Sequence, residues 1–264
     1  MTSIVGFDRR DLQMLTSLFK MSLSDRFLGS GLGLVWAFLS PLMMMGIFTF
    51  VFTFVFPGRM PGREGALPFV IWLLSGYAPW LCISEGIMSS TNSVVGSAGI
   101  VKNIAFKSEL LPVVGALLGL VPLLVGIGLI LFIQLVSGMG ISPMVLFLPI
   151  STILMLGFIS GIGLFLSSIN VFVRDTALAT PNILMLLLFA SPIFYMLEAY
   201  PEFIQSILVY SPFYVLAELF REPILNGALP PLWMVAYMIV VNTVLIMTGL
   251  WWFRRLKNFF DARL

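Results

Sequence analysis

Residues 110–173 read LLPVVGALLGLVPLLVGIGLILFIQLVSGMGISPMVLFLPISTILMLGFISGIGLFLSSINVFV and contain no Asp, Glu, Lys or Arg. About 20 apolar residues, rising about 1.5 Å each, cross the ~30 Å hydrocarbon core of a bilayer. A run of this length is too long for one buried core helix. It holds at least two membrane spans, divided at the short uncharged turn SGMGISP, residues 137–143. The whole chain agrees: of 264 residues, 59% are hydrophobic and only 10% charged, where a soluble domain carries about 25% charged residues. The fold class is therefore an all-α integral membrane protein, read as a single transmembrane domain over residues 1–264.

Working outward, residues 110–136 and 145–170 are the third and fourth of six predicted spans. Upstream lie spans at 34–56 and 69–89, joined by the Pro- and Gly-rich linker PGRMPGREGALP. Before them, DRFLGSGLGLVWAFLSP (25–41) marks a changeover from polar to apolar sequence, with Gly29, Gly31 and Gly33 at the join. Glycine suits a sharp redirection of the chain, so this stretch reads as a corner. Trp36 falls at the headgroup level, and Pro41 is placed to kink the span. Residues 8–28 predict an interfacial amphipathic helix, with Leu12, Leu15, Phe19, Leu23 and Phe27 recurring at spacings of three and four. The alternative for this helix is the cover of a cytosolic partner.

Downstream, Arg174-Asp175 precede a fifth span at 178–197, and the sixth covers 232–253, ending on Trp251-Trp252 and then Arg254, Arg255 and Lys257. Between these two spans, the charge-free piece 203–217 is too short to cross and is broken by Pro212. It predicts two short re-entrant helices dipping in from one side. Six spans put both termini on one side. That side holds Arg9, Arg10, Lys20, Arg26, Lys102, Lys107, Arg174, Arg254, Arg255, Lys257 and Arg263, against Arg59, Arg63 and Arg221 on the other. The excess of Lys and Arg places both termini in the cytoplasm.

Chemistry is sparse in this chain. There is no histidine and a single cysteine, Cys82. No Gly-x-x-x-x-Gly-Lys-Ser/Thr loop is present to cradle nucleotide phosphates. Glu85 is the one carboxylate inside a predicted span. Such groups cost roughly 2.5–3.5 kcal/mol on insertion scales and so take partners or roles. Glu85 either snorkels one turn to the surface or pairs with Arg26 or Lys102. Among the aromatics, Tyr77, Trp80, Tyr195 and Tyr214 are candidates to line a path, because their polar tips need water or a partner; Trp36 joins them. In the loop after the second span, Ile100, Val101, Lys102, Asn103, Ile104 and Phe106 set apolar side chains beside lysines. That pattern fits a partner site or anchorage in lipid. Asp175 is placed to cap the fifth span, with Arg174 at the headgroups.

Four segments in order, LGLVWAFLSPL (32–42), Ile100-Val101-Lys102-Asn103, Asn170-Val171-Phe172-Val173-Arg174-Asp175 and SPIFYMLEAYPEFIQSILVYSPFYVLAELFREPILNG (191–227), resemble the permease subunit of bacterial polysaccharide ABC exporters of the ABC-2 type. These are the exporters of O-antigen, teichoic acid and capsule. The resemblance covers essentially the whole chain; a departure is Phe106-Lys107, where the family often has Phe-Pro. It implies a homodimeric, channel-forming permease of the bacterial inner membrane, working in lipopolysaccharide biosynthesis on an undecaprenyl-diphosphate-linked polysaccharide. It further implies two copies of a separate ATPase that hold ATP and Mg, with no cofactor on this chain, no catalysis by it and no nucleic-acid partner. Residues 98–107 would be the coupling helix on the ATPase, and residues 200–222 the paired external gate helices. Arg10, Lys20, Arg26, Arg174 and Asp175 would face the carrier headgroup. The other readings are an ABC-2 exporter of a drug or small lipid and an integral membrane lipid-modifying enzyme.

Overall fold

Eleven α-helices occupy the described residues: α1 (Arg9–Asp25), α2 (Val35–Phe50), α3 (Leu67–Gly96), α4 (Ala98–Asn103), α5 (Leu110–Leu118), α6 (Leu120–Val136), α7 (Leu148–Phe172), α8 (Asp175–Ala190), α9 (Glu202–Leu208), α10 (Pro212–Arg221) and α11 (Leu232–Leu256). No strand occurs among them. This computed structural model describes residues 8–26, 30–55, 65–103, 106–260 and 263, with the side chains of Lys102 and Asn103 left aside. Phe27 to Gly29 of the expected corner, the linker 56–64 with Arg59 and Arg63, and Ile104 lie outside the described residues.

Helix starts and stops follow local chemistry. At the head of α1 the Asp8 N–H donates to Asp11 Oδ2 at 2.9 Å and the Arg9 N–H to Asp8 Oδ1 at 2.7 Å, which satisfies donors that a helix start leaves free. The corner ends at Gly33, whose φ of 51° is a conformation that costs glycine nothing; its N–H donates to Ser30 Oγ at 2.9 Å. Pro41 is buried within α2, which continues past it and widens to a π turn at Val51–Val55.

Two predicted boundaries are corrected, and one span carries an internal break. The second span does not stop at Ser89, because α3 runs on to Gly96. Its polar end stays helical because Thr91 Oγ1 donates to Ile87 O at 2.7 Å, Asn92 Nδ2 to Met88 O at 3.1 Å and Ser93 Oγ to Ser90 O at 2.7 Å. These side chains bond back along the helix rather than unwinding it. The third span keeps its bounds, Leu110–Val136, and is interrupted only at Gly119, between α5 and α6, where Pro122 has no N–H to give the carbonyl of Leu118. The fifth span does not reach Leu197. Its helix, α8, ends at Ala190, since Ser191 precedes Pro192 and is extended.

Among the described residues five helical stretches are long and apolar enough to cross a membrane: Val35–Val55, Leu67–Gly96, Leu110–Val136, Pro143–Phe172 and Leu232–Phe259. The 16-residue α8 is about 24 Å long, and the non-helical chain that follows it runs on to Pro192 and Ile193, whose carbonyls meet Arg221. The pair formed by Glu202–Leu208 and Pro212–Asn226 is bent by 78°. Helix α3 is the centre of the assembly and packs against α2, α5, α6, α7, α8 and α10. A small cluster at one end joins Leu18 of α1, Leu111, Val171, Phe253 and Phe260, so α1 and the end of α11 meet there. The bent pair lies at the far end, and its tip reaches inward to Phe213, which stands 5.6 Å from both Trp80 and Phe158 by ring centroids.

Candidate functional site

Helix α1 delivers Arg26 to the side of α3. Its guanidinium grips Glu85 with both arms: Nη1 donates to Oε1, and Nη2 to Oε2 at 2.8 Å. Ser89, one turn further along α3, donates its Oγ to Oε1 at 2.7 Å. Of the two partners that the sequence offered Glu85, the structure selects Arg26.

The pair is the common wall of two cavities. One, of about 410 Å³, is bounded by Trp36, Ser40 and Pro41 of α2, by Ser84 and by Pro122. The other, of about 740 Å³, opens between the end of α1 and the polar end of α3, along Ser89, Asn92 and Ser93 as far as Ile100. An ion pair whose arginine side chain is 43% exposed adds little to stability, about 0.2–1 kcal/mol. A doubly charged anion entering either cavity would find Arg26 as a charge-assisted donor, in competition with Glu85, whose side chain is 17% exposed.

The other expected site residues are scattered. Trp36 is exposed and faces the smaller cavity. Tyr77 and Trp80 are buried inside a single chain. Tyr77 belongs to an aromatic cluster with Phe48 at 4.8 Å and Phe194 at 5.5 Å. Tyr195 is exposed and meets Phe52 at 6.0 Å, edge to face, while Tyr214 is half-buried. Ile100, Val101 and Phe106 are half-buried against the chain's own cluster around Leu18 and Val94. Arg10, Lys20, Arg174 and Asp175 are exposed. Asp175 does not cap: Arg174 holds that position without a side-chain hydrogen bond, and Asp175 lies in the first turn of α8. There its charge meets only the helix dipole. Asn170, from the same motif, instead ties α7 to α3 by donating Nδ2 to Thr91 O at 3.0 Å.

Two groups escaped the sequence reading. Arg221, counted there as a surface charge, is buried at the far end. Glu109, 4% exposed, receives Arg254 Nε at 3.1 Å and Lys257 Nζ at 3.2 Å on one oxygen. It fastens the start of α5 to the end of α11, while Lys107 pairs with Asp11 of α1. Their only sequence signal is a carboxylate beside a basic chain end, which charge counting alone does not pair.

These contacts carry a pH dependence. Burial pushes the Glu109 carboxyl up, but its own backbone N–H together with Lys257 and Arg254 outweighs this and holds it below its usual value. A carboxylate lowered on folding stabilises the folded state above its unfolded value and loses that contribution as pH falls through the folded one. Glu109→Gln should therefore melt about 2–4 °C below wild type at neutral pH, with the gap closing on acidification to about pH 3. Thermal unfolding in detergent across that range checks it.

A family model described as ABC-2 type transporter matches residues 13–225. An O-antigen export system permease protein, RfbA, of Klebsiella pneumoniae is 26% identical over 245 residues, 92% of this chain and 92% of its own. Another of that description from Klebsiella pneumoniae is 25% identical over the same share of both chains. One from Myxococcus xanthus is 25% identical over 185 residues, 70% of this chain and 69% of its own.

Proposed function

This chain belongs to the ABC-2 type transporter family, and on that premise we propose that it is the channel-forming permease of an ATP-driven exporter of lipid-linked polysaccharide. The cargo is of the O-antigen type on an undecaprenyl diphosphate carrier, and the membrane is the bacterial inner membrane with both termini cytoplasmic. Two copies form the path and two copies of a separate ATPase drive it, holding ATP and Mg. The names of the relatives support the cargo class, and the lack of a phosphate-binding loop in this sequence supports a borrowed energy source.

The observation that carries the reading is the Arg26–Glu85 pair standing between two cavities beside α1. A carrier lipid presents a diphosphate at the membrane surface and a polyprenyl tail within it. Arg26 meets the first, since a guanidinium fork matches phosphate oxygens; the apolar wall of Trp36, Pro41 and Met44 suits the second. Exposed Trp36 and Tyr195 and half-buried Tyr214 are the aromatic faces of the proposed path, with Tyr77 and Trp80 supporting them from the core. The bent pair α9–α10 acts as the re-entrant gate. Arg10, Lys20, Arg174 and Asp175 set the charge of the surface at which the carrier loads.

The test is reconstitution in liposomes with the cognate ATPase and radiolabelled lipid-linked polymer. Polymer should reach the lumen only with ATP and both proteins present; turnover of ATP or lipid by this chain alone overturns the reading. The coupling role of α4 is tested separately. Phe106 is part of the chain's own packing, so the informative position is Gly99, exposed and with nothing within 4 Å of an added Cβ. Gly99→Trp should leave the permease folded yet cut co-purification with the ATPase about tenfold; unchanged co-purification removes α4 from the docking surface.

A further inference from the structure

Among the described residues Arg221 is the largest side chain that is fully enclosed, at 2% exposed. A buried cation is tolerated only where its donors find acceptors, and this one is supplied from three separate pieces of the chain. Nη1 donates to Pro192 O at 3.0 Å and to Glu218 Oε1 at 2.9 Å, Nη2 to Ile193 O at 2.8 Å and Nε to Trp72 O at 3.4 Å. The guanidinium carbon lies 4.1 Å over the Trp72 ring, a stacked cation–π contact. Gly76 makes the socket: a Cβ there would stand 2.3 Å from Nη2 and 2.8 Å from Cζ. The carbonyls of Pro192 and Ile193 are available because α8 has already stopped at Ala190. Arg221 thus joins the end of α10, the first turns of α3 and the segment that follows α8.

The two arms of the bent pair are held unequally. Helix α10 buries Val215, Leu216, Ala217, Leu219, Phe220 and Arg221, and Ser151 of α7 donates to its Leu219 O at 2.8 Å. Helix α9 buries no residue, with Phe203 70% and Ile207 68% exposed. Its joint to α10 is tied by Tyr237 Oη, which donates to Tyr210 O at 2.7 Å. At that joint Ser211 is extended before Pro212.

We infer that Arg221 is a positioning residue for export: it pins α10 to α3 and to the end of α8, so that the gate opens by α9 swinging about residues 209–211 while α10 stays seated. This deepens the export reading and rests on it. Opening by this route disturbs little beyond the contacts of Tyr210 with Tyr237 and Trp233, whereas moving the whole pair would strip a buried guanidinium of its three carbonyl acceptors and leave it only Glu218 of α10 itself. The same charge explains why one arm of a short hairpin stays in place beside a moving conduit.

The experiment uses the full permease–ATPase complex in nanodiscs and amide hydrogen exchange by mass spectrometry. At rest, residues 202–208 should exchange fast and residues 214–221 slowly. ATP with vanadate should raise exchange in the first group only. Arg221→Met and Gly76→Ala, the second of which expels the guanidinium without removing it, should both abolish the protection of 214–221. Both should lower export about tenfold, with ATPase assembly unchanged. The double variant should be no worse than either single, because both empty one socket. Wild-type exchange that changes equally in both arms overturns the pin without need of any variant, and so does full export by Arg221→Lys, which keeps only the charge. Failure of the wild-type complex to move polymer would instead strike the export reading, while resting exchange still reports on Arg221.

Discussion

Gly115→Leu should leave almost no folded permease. A Cβ at this position would stand 2.4 Å from the Ser90 nitrogen, 2.5 Å from its Cα and 2.8 Å from the Ser89 carbonyl carbon. All three atoms are backbone of α3, so no rotamer change relieves the clash. The helices α3 and α5 must separate, and two things are lost with them: the hydrogen bond that Ser90 Oγ donates to Pro112 O at 2.7 Å, and the packing of Leu111 and Val114. Overpacking costs about 1–3 kcal/mol and more where backbone cannot yield; a stranded buried hydroxyl and carbonyl add about 1–3 kcal/mol. Against a total stability of about 5–15 kcal/mol, this reaches the threshold of folding. The readout is monodisperse protein after detergent extraction, with Gly128→Leu as the control, since a Cβ there meets nothing within 4 Å. A Gly115→Leu protein that melts within about 3 °C of wild type would mean that the two helices do not cross at this separation.

Arg26→Gln and Glu85→Gln should act in opposite directions. If Arg26 exists to meet the carrier diphosphate, its loss removes charge-assisted bonds worth about 1.5–3 kcal/mol, and export should fall by about ten- to a hundredfold. On that proposal Glu85, which holds the same guanidinium, competes with the headgroup for it. Glu85→Gln should therefore keep export and lower the apparent KM for the lipid-linked polymer. Glu85→Gln should change folding little, whereas Arg26→Gln leaves a carboxylate that is 17% exposed without its cation and should also lower the melting temperature. A pair with a purely structural task would lose equally from both sides. Transport kinetics in proteoliposomes, paired with melting temperatures, separate the two.

The contrast between Glu85 and Arg221 shows where sequence reasoning stops. Glu85 was legible because a carboxylate in an apolar run is conspicuous, and its candidate partners were few. Arg221 was counted with the surface charges because it follows a short, broken apolar piece; nothing local says that Pro192, Ile193 and Trp72 converge on it. Tyr77 and Trp80 show the same limit. Polar tips that need water or a partner make them candidates to line a path, and within the single chain both rings are buried between α3 and its neighbours. Leu18, rather than Leu12, is the residue of α1 that is buried, because the face α1 turns inward is set by α5 and α11.

By itself the sequence determined the solvent. Long charge-free runs cannot fold in water, and with backbone hydrogen bonds satisfied within each segment they become helices whose ends are marked by Gly, Pro and charge. The lopsided distribution of Lys and Arg gave the expectation of both chain ends on one side; in the structure Leu18 of α1 shares a cluster with Phe253 and Phe260. What only the tertiary structure decided is which polar groups meet. In an apolar medium pattern no longer separates inside from outside, since lipid-facing and buried residues are alike. Close approach is set instead by glycines such as Gly76 and Gly115 and by the few charges that must find each other: Arg26 with Glu85, Glu109 with Arg254 and Lys257, and Arg221 with the carbonyls that the end of α8 leaves free.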